Sequence, residues 1–144
     1  VRVINYMKQC FPGSSVLVMG ICDRSMQRDG EFETMPSVPG MIAAQRSAAE
    51  QAGVAFWNTF DAMGGHNSMV RFVEKHWAAK DYTHIGYTGG KYVADRLVDA
   101  LITGVDSMRR EIELRERIDR LLKYDSAAID FRVPDTALPL QPSL

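Results

Sequence analysis

Several features that define common protein classes are scarce in this chain of 144 residues. It contains only two cysteines, Cys10 and Cys22, too few for a disulfide scaffold and too far apart for a CxxC redox or zinc motif. The formal net charge is −1, so no global basic field attracts nucleic acid or an anionic membrane surface. No apolar run approaches the roughly 18 residues of a spanning helix. We therefore expect neither nucleic-acid binding nor a membrane span.

Metal-binding and phosphate-binding motifs are also missing. The three histidines, His66, His76 and His84, match no familiar zinc spacing, and no two of them stand four residues apart on a helix. There is no P-loop or glycine-rich dinucleotide fingerprint, because Gly20 is a lone glycine after an apolar run. The prediction is that the chain holds no metal and no cofactor.

The composition that remains, with 46% hydrophobic and 24% charged residues, is ordinary for a globular protein. Two apolar runs bounded by turn residues predict short buried strands at Ser15–Ile21 and Val54–Trp57. Both lie between helical patterns, which is typical of parallel strands joined by helical crossovers, and hence of the α/β class. Helices are predicted at Arg2–Cys10, Met41–Ala52, Ser68–Trp77 and Lys91–Ile102, irregular chain at Asp23–Gly40 and Asp81–Gly90, and a turn at Asp61–Gly65.

The character of the chain changes at Gly104. Val105–Tyr124 holds eleven charged residues of balanced sign around a thin apolar seam, which predicts a solvated amphipathic helix. That helix either lies on its own domain or pairs with a second copy, although Arg115 occupies a seam position that a coiled coil would fill with an apolar residue. The proline-containing segment Asp125–Leu144 is predicted to be an extended tail.

The strongest candidate for a catalytic segment is Asp81-Tyr82-Thr83-His84. A spacing of three residues in a turn lets the carboxylate reach the Nδ1–H of the imidazole and leaves Nε2 free as a base. The alternative is a purely structural pair in which Asp81 caps the turn. The position favours chemistry, because Asp81 follows the last strand and functional side chains of open α/β sheets lie on such loops.

An Asp-x-x-His just before a final helix resembles the closing block of the SGNH (GDSL-like) ester hydrolases. Phe11-Pro12-Gly13 followed by Val16–Gly20 is similar to that family's surface turn and penultimate core strand. The helix around Ala43–Arg46, the strand Gly53–Trp57 and the segment Asp61–Gly65 resemble bacterial carbohydrate-esterase members. The resemblance covers residues 2–103. It implies a flavodoxin-like three-layer α/β/α fold and a Ser-His-Asp triad to which Asp81 and His84 belong.

The other parts of that machinery have no counterpart in the chain. The family's nucleophile lies in a Gly-Asp-Ser block, and its oxyanion donors include a Gly-x-Asn-Asp block; we expect both upstream of Val1. Residues 1–103 are accordingly predicted to be the later part of a longer domain, with residue 1 a truncation or processing boundary. Within the chain, Ser25 follows a predicted strand and is a minor candidate nucleophile.

A possible substrate pocket is predicted at Met63, Gly64 and Gly65, together with Ser25, because glycines allow close backbone approach. The alternative is a plain turn before a helix that is capped by Asn67 or Ser68. The predicted organisation is then an esterase-like part (1–103), a charged helix (104–124) and a tail (125–144).

The functional expectation is an ester hydrolase whose substrate is an acyl or acetyl ester, on a small molecule or on a carbohydrate or cell-wall polymer. The alternative is a non-catalytic interaction piece that uses the helix at 105–124. Partners could be the missing N-terminal part of the domain or a second copy in a homo-oligomer. The residues do not define the compartment, but the resemblance favours an extracytoplasmic or secreted protein.

Overall fold

The computed structural model describes residues 1–128, and side chains up to residue 123. The chain divides into two compact units, Val1–Ile102 and Thr103–Leu144. The predicted tail lies outside the described residues from residue 129 onward. Its first four residues, 125–128, are the last residues of a helix rather than extended chain. Within residues 1–128, none of the helices combines the length and apolarity that crossing a bilayer requires.

The predicted pair of parallel strands is confirmed. Strand β1 (Leu17–Met19) pairs in parallel with β4 (Ala55–Trp57), in a register that places Val18 opposite Phe56. Both strands are shorter than the apolar runs that predicted them. Helix α1 (Arg2–Cys10) precedes β1, and helix α2 (Ser37–Ala52) lies between the two strands in the chain. Gly53, with φ of 62°, ends α2 in the left-handed conformation that favours glycine. The chain is thus of α/β class.

The prediction that Asp23–Gly40 is irregular chain is wrong. Residues 25–34 form an antiparallel hairpin of β2 (Ser25–Arg28) and β3 (Glu31–Thr34). Its turn is Asp29-Gly30, and both residues have positive φ, 52° and 88°. That is the geometry of the tight turn that Asp-Gly favours between twisted strands.

Helix α2 also begins earlier than predicted, at Ser37 rather than Met41. Pro39 lies in its first turn. Proline is tolerated there because the first N–H groups of a helix have no intrahelical partner. The prolines and glycines of this stretch are therefore compatible with a hairpin and a helix start.

The remaining helices differ from the predicted bounds. A short α3 (Thr59–Met63) replaces most of the predicted turn at Asp61–Gly65, and α4 (Ser68–Glu74) ends three residues before Trp77. Helix α5 runs from Tyr87 to Ala128 without a break at Gly104. A single internal glycine costs a helix about 1 kcal/mol, which a long helix tolerates.

The core of the first unit consists of two apolar clusters. One contains Met63, Met69, Phe72 and Val93, and the other contains Val38, Ile42 and Phe60. The start of α5 reaches the first cluster through a glycine. A Cβ at Gly89 would lie 2.3 Å from the carbonyl oxygen of Trp77, a distance that side-chain carbons do not adopt. This close approach brings the start of α5 against the chain that follows α4.

Candidate active site

The Asp81–His84 loop forms the hydrogen bond that its spacing predicts. The Nδ1 of His84 lies 2.7 Å from Oδ2 of Asp81. The other carboxylate oxygen, Oδ1, accepts hydrogen bonds from the backbone N–H groups of Thr83 at 3.0 Å and His84 at 3.1 Å. Aspartate favours this local turn because its short side chain reaches the backbone two and three residues ahead. One oxygen therefore shapes the turn and the other holds the imidazole.

The ends of the loop are tied together by the backbone. Ala78 and Ile85 form an antiparallel bridge, and the N–H of Ala79 donates to the carbonyl of His84 at 2.8 Å. The N–H of Gly86 donates to the carbonyl of Trp77 at 2.7 Å, just before α5 begins. The pair consequently stands on a closed loop between α4 and α5.

The electrostatics of the pair favour an ionised carboxylate. The hydrogen bond from the His84 side chain, followed by the backbone N–H bonds of His84 and Thr83, lowers the pKa of Asp81 from 3.8 to about 2. An ionised Asp81 accepts a hydrogen bond from Nδ1–H, so a neutral His84 carries its free lone pair on Nε2. The His84 side chain is 79% exposed. A base at Nε2 is thus accessible to a reacting group.

The loop is held from one side by the β2–β3 hairpin. Tyr82 adopts a left-handed φ of 55°, and its ring stacks on Phe32 with centroids 3.7 Å apart and planes within 6°. The N–H of Ser25 donates to the Tyr82 carbonyl at 3.0 Å. Sequence reasoning missed this contact because it missed the hairpin; the Asp29-Gly30 turn was the available signal.

A second aspartate, Asp23, holds the start of helix α4; the sequence did not predict this role. Asp23 is fully buried, and its Oδ2 accepts hydrogen bonds from the Met69 N–H at 2.8 Å and the Ser68 hydroxyl at 3.2 Å. Asp23 thus caps the first turn of α4 from 45 residues away. Asn67 occupies the predicted N-cap position, but its side chain instead accepts a hydrogen bond from the N–H of Thr34 at 2.9 Å.

The predicted pocket residues lie in other environments. Ser25 is buried at the start of β2, and its hydroxyl has no hydrogen-bond partner within the described residues. Met63 belongs to the core. Gly64 and Gly65 have φ of 110° and 75°, and the Gly64 carbonyl accepts a hydrogen bond from Arg71 at 2.9 Å. These glycines form a turn that the Arg71 side chain supports.

A cavity of about 230 Å³ has Thr83, from the Asp81–His84 loop, in its wall. The segment Ile21–Arg24 and the start of α2 form its other walls. Ile21–Arg24 follows β1, and ligands of open α/β sheets bind at this carboxyl end of the strands. Among residues 1–128, no group of three or more His, Cys, Asp and Glu side chains is arranged to hold a metal ion.

Comparison with known proteins gives one informative similarity. No protein-family model matches the chain, and no curated protein matches it significantly. A solved structure described as "Peptidoglycan O-acetylesterase in action, 5 min" matches with a TM-score of 0.65 and 27% sequence identity. The match covers 74% of this chain and 31% of that chain, so this chain spans about a third of its length. The chain therefore has an esterase-like fold.

Proposed function

We propose that this chain is part of an acetyl-ester hydrolase of the SGNH type that acts on a carbohydrate or cell-wall polymer. The observation that carries the proposal is the 2.7 Å contact between His84 Nδ1 and Asp81 Oδ2 on an exposed loop. The similarity in fold to a peptidoglycan O-acetylesterase supports the reaction class. An extracytoplasmic location and a polymer substrate are parts of this same proposal.

The two oxygens of Asp81 favour a catalytic pair over a turn cap alone. Capping the turn needs only Oδ1, which accepts both backbone N–H groups. Oδ2 is left for the imidazole, and this arrangement selects the tautomer and the ring orientation that a general base requires.

In the proposed mechanism, Nε2 of His84 removes the proton of a serine hydroxyl as the serine oxygen attacks the ester carbonyl. His84 then donates that proton to the departing alcohol oxygen, and an acetyl-serine remains. Water, deprotonated by His84, attacks this intermediate; acetate leaves and the serine recovers its proton. Asp81 stays ionised and stabilises the imidazolium, consistent with its lowered pKa.

The serine and the oxyanion donors are proposed to lie upstream of residue 1. Within the described residues β1 pairs only with β4, and Leu17 and Met19 on β1 are 38% and 46% exposed. Strands of parallel sheets are normally buried on both faces. These exposed strand residues support the proposal that further strands complete the sheet.

The direct test is His84→Ala in the intact parent protein, assayed on a chromogenic acetyl ester. Because general-base catalysis and nucleophile activation are both lost, we expect turnover to fall by about 10,000-fold. The matched control is His76→Asn, since His76 has a φ of 58° that asparagine also tolerates. Undiminished turnover in a folded His84→Ala protein would disprove the assignment.

A second candidate function is a non-catalytic interaction module. The observation that favours it lies in α5, where Val105, Ile112 and Leu122 are between 50% and 62% exposed. On this view the exposed apolar residues bind another subunit or a second copy. A serine-directed phosphonate separates the two candidates: labelling of an upstream serine in the folded parent supports the enzyme, and no labelling favours the interaction module.

A further inference from the structure

The cavity beside Thr83 has a mixed lining. Met35, Val38 and Met41 are among its apolar residues, and its polar residues are Asp23, Arg24, Ser37 and Thr83. A cavity of about 230 Å³ is smaller than the roughly 300–1,000 Å³ of drug-sized ligand sites and holds about one sugar ring. The cavity thus suits an amphipathic group larger than acetate.

Arg24 is the positively charged residue of the cavity wall. Its side chain is exposed, and its guanidinium has no hydrogen bond or ion pair with the side chains described up to residue 123. By contrast, Arg28 in the hairpin that follows Arg24 pairs with Glu33 at 3.4 Å, and Arg71 donates to the carbonyls of Gly64 and His66. An unpaired guanidinium at a cavity is suited to bind a carboxylate through two parallel hydrogen bonds.

The acidic residue of the cavity wall is Asp23, whose charge opposes an anion and whose Oδ1 has no hydrogen-bond partner within the described residues. Asp23 is fully buried, and its Oδ2 is held by the Ser68 hydroxyl and the Met69 N–H at the first turn of α4. Cys22 stays a neutral thiol at neutral pH, because burial, and secondarily the Asp23 charge, raise its pKa. Arg24 is then the charged group of the wall that reaches solvent.

We propose that this cavity is a substrate subsite in which Arg24 binds a carboxylate carried by the polymer, while the apolar lining residues contact the neighbouring sugar. This inference rests on the proposed function for its substrate class. It adds a specificity-determining residue, since a neutral polysaccharide would leave the Arg24 guanidinium unpaired. Thr83, which lies between Tyr82 and His84 in the loop, is the residue that connects this cavity to the Asp81–His84 pair.

The test is binding of two sugars, N-acetylmuramic acid and N-acetylglucosamine, to the full chain; they differ by a lactyl ether group that carries a carboxylate. We expect amide chemical-shift changes in Ile21–Arg24 and Thr83, and an affinity at least about 10-fold higher for N-acetylmuramic acid. Arg24→Gln should abolish that preference, Arg24→Lys should retain part of it, and the control Arg28→Gln should leave it unchanged.

An independent readout is Cys22 alkylation in a Cys10→Ser background, which removes the exposed thiol. N-acetylmuramic acid should slow the modification of Cys22, and N-acetylglucosamine should slow it less. Equal affinity for the two sugars, a preference that survives Arg24→Gln, or shifts confined to other surfaces would overturn the proposal. Because these measurements need no turnover, they fail or succeed separately from the His84→Ala assay.

Discussion

Asp23 and Asp81 each use a carboxylate to organise a turn, but they do so in opposite environments. Asp23 is fully buried, and its donors come from residues 45 and 46 positions later. Asp81 has a side chain that is 50% exposed, and its donors lie two and three positions later. The first carboxylate joins two distant parts of the chain, and the second orders only its own loop.

The difference in environment gives the two aspartates different roles: Asp23 contributes to stability, and Asp81 orients a candidate base. A buried carboxylate with distant donors holds tertiary structure, since its loss would leave buried N–H and O–H groups without partners. An exposed carboxylate that holds an imidazole contributes little to stability, because water competes for its hydrogen bonds. It can, however, orient a base that remains open to a substrate.

The largest effect is expected from Asp23→Ala. The variant loses the cap of α4 and leaves the Met69 N–H and the Ser68 hydroxyl unsatisfied, so the free energy of unfolding should fall by about 2–3 kcal/mol. Chemical denaturation followed by circular dichroism measures it. Asp81→Ala is the matched comparison, and its denaturation midpoint should fall by clearly less, because the Asp81 carboxylate is exposed and water replaces its partners. Equal losses in the two variants would remove the distinction between the two aspartates.

A smaller effect is expected from Phe32→Ala, which removes the ring stacked on Tyr82. Loss of the stacked pair and of its packing should lower the free energy of unfolding by about 1–2 kcal/mol. The loosened loop should also weaken the hydrogen bonds to Asp81, so that the pKa of Asp81 rises toward 3.8. Phe32→Tyr should preserve both values. A destabilised Phe32→Ala protein whose Asp81 pKa stays near 2 would show that the hairpin does not position the pair.

The smallest effect on stability is expected from His84→Ala. This variant should also change the pKa of Asp81. The His84 side-chain hydrogen bond is the largest cause of the lowered pKa of Asp81, so this pKa should rise from about 2 without reaching 3.8. The backbone N–H groups that still bind Oδ1 account for the remainder. Carboxylate chemical shifts followed against pH measure it, and an unchanged pKa would contradict the assigned hydrogen bond.

The sign of the pH dependence follows from that lowered pKa. Because the folded-state pKa of Asp81 lies below its unfolded value, the stability it contributes is present above about pH 4. It is lost as pH falls toward 2, and His84→Ala should flatten the unfolding free energy across this interval.

Part of this architecture could be read from local patterns. The two apolar runs predicted the parallel strands β1 and β4, and the spacing of Asp81 and His84 predicted their hydrogen bond. The hairpin at residues 25–34 was missed because its strands carry charged side chains and little apolar periodicity. Its Asp29-Gly30 turn shows that a short dipeptide signal can be stronger than the composition around it.

What the amino-acid sequence determined for this protein is local: two short apolar strands, most of the helices, and a carboxylate three residues from an imidazole. These follow from backbone geometry and side-chain reach over a few residues. Folding decided the roles of the side chains. The contacts of Asp23 with α4 and of Phe32 with Tyr82 span about 45 and 50 positions, and no short-range rule encodes them. As a result, Asp23 is buried and has a structural role, whereas Asp81 is exposed beside His84.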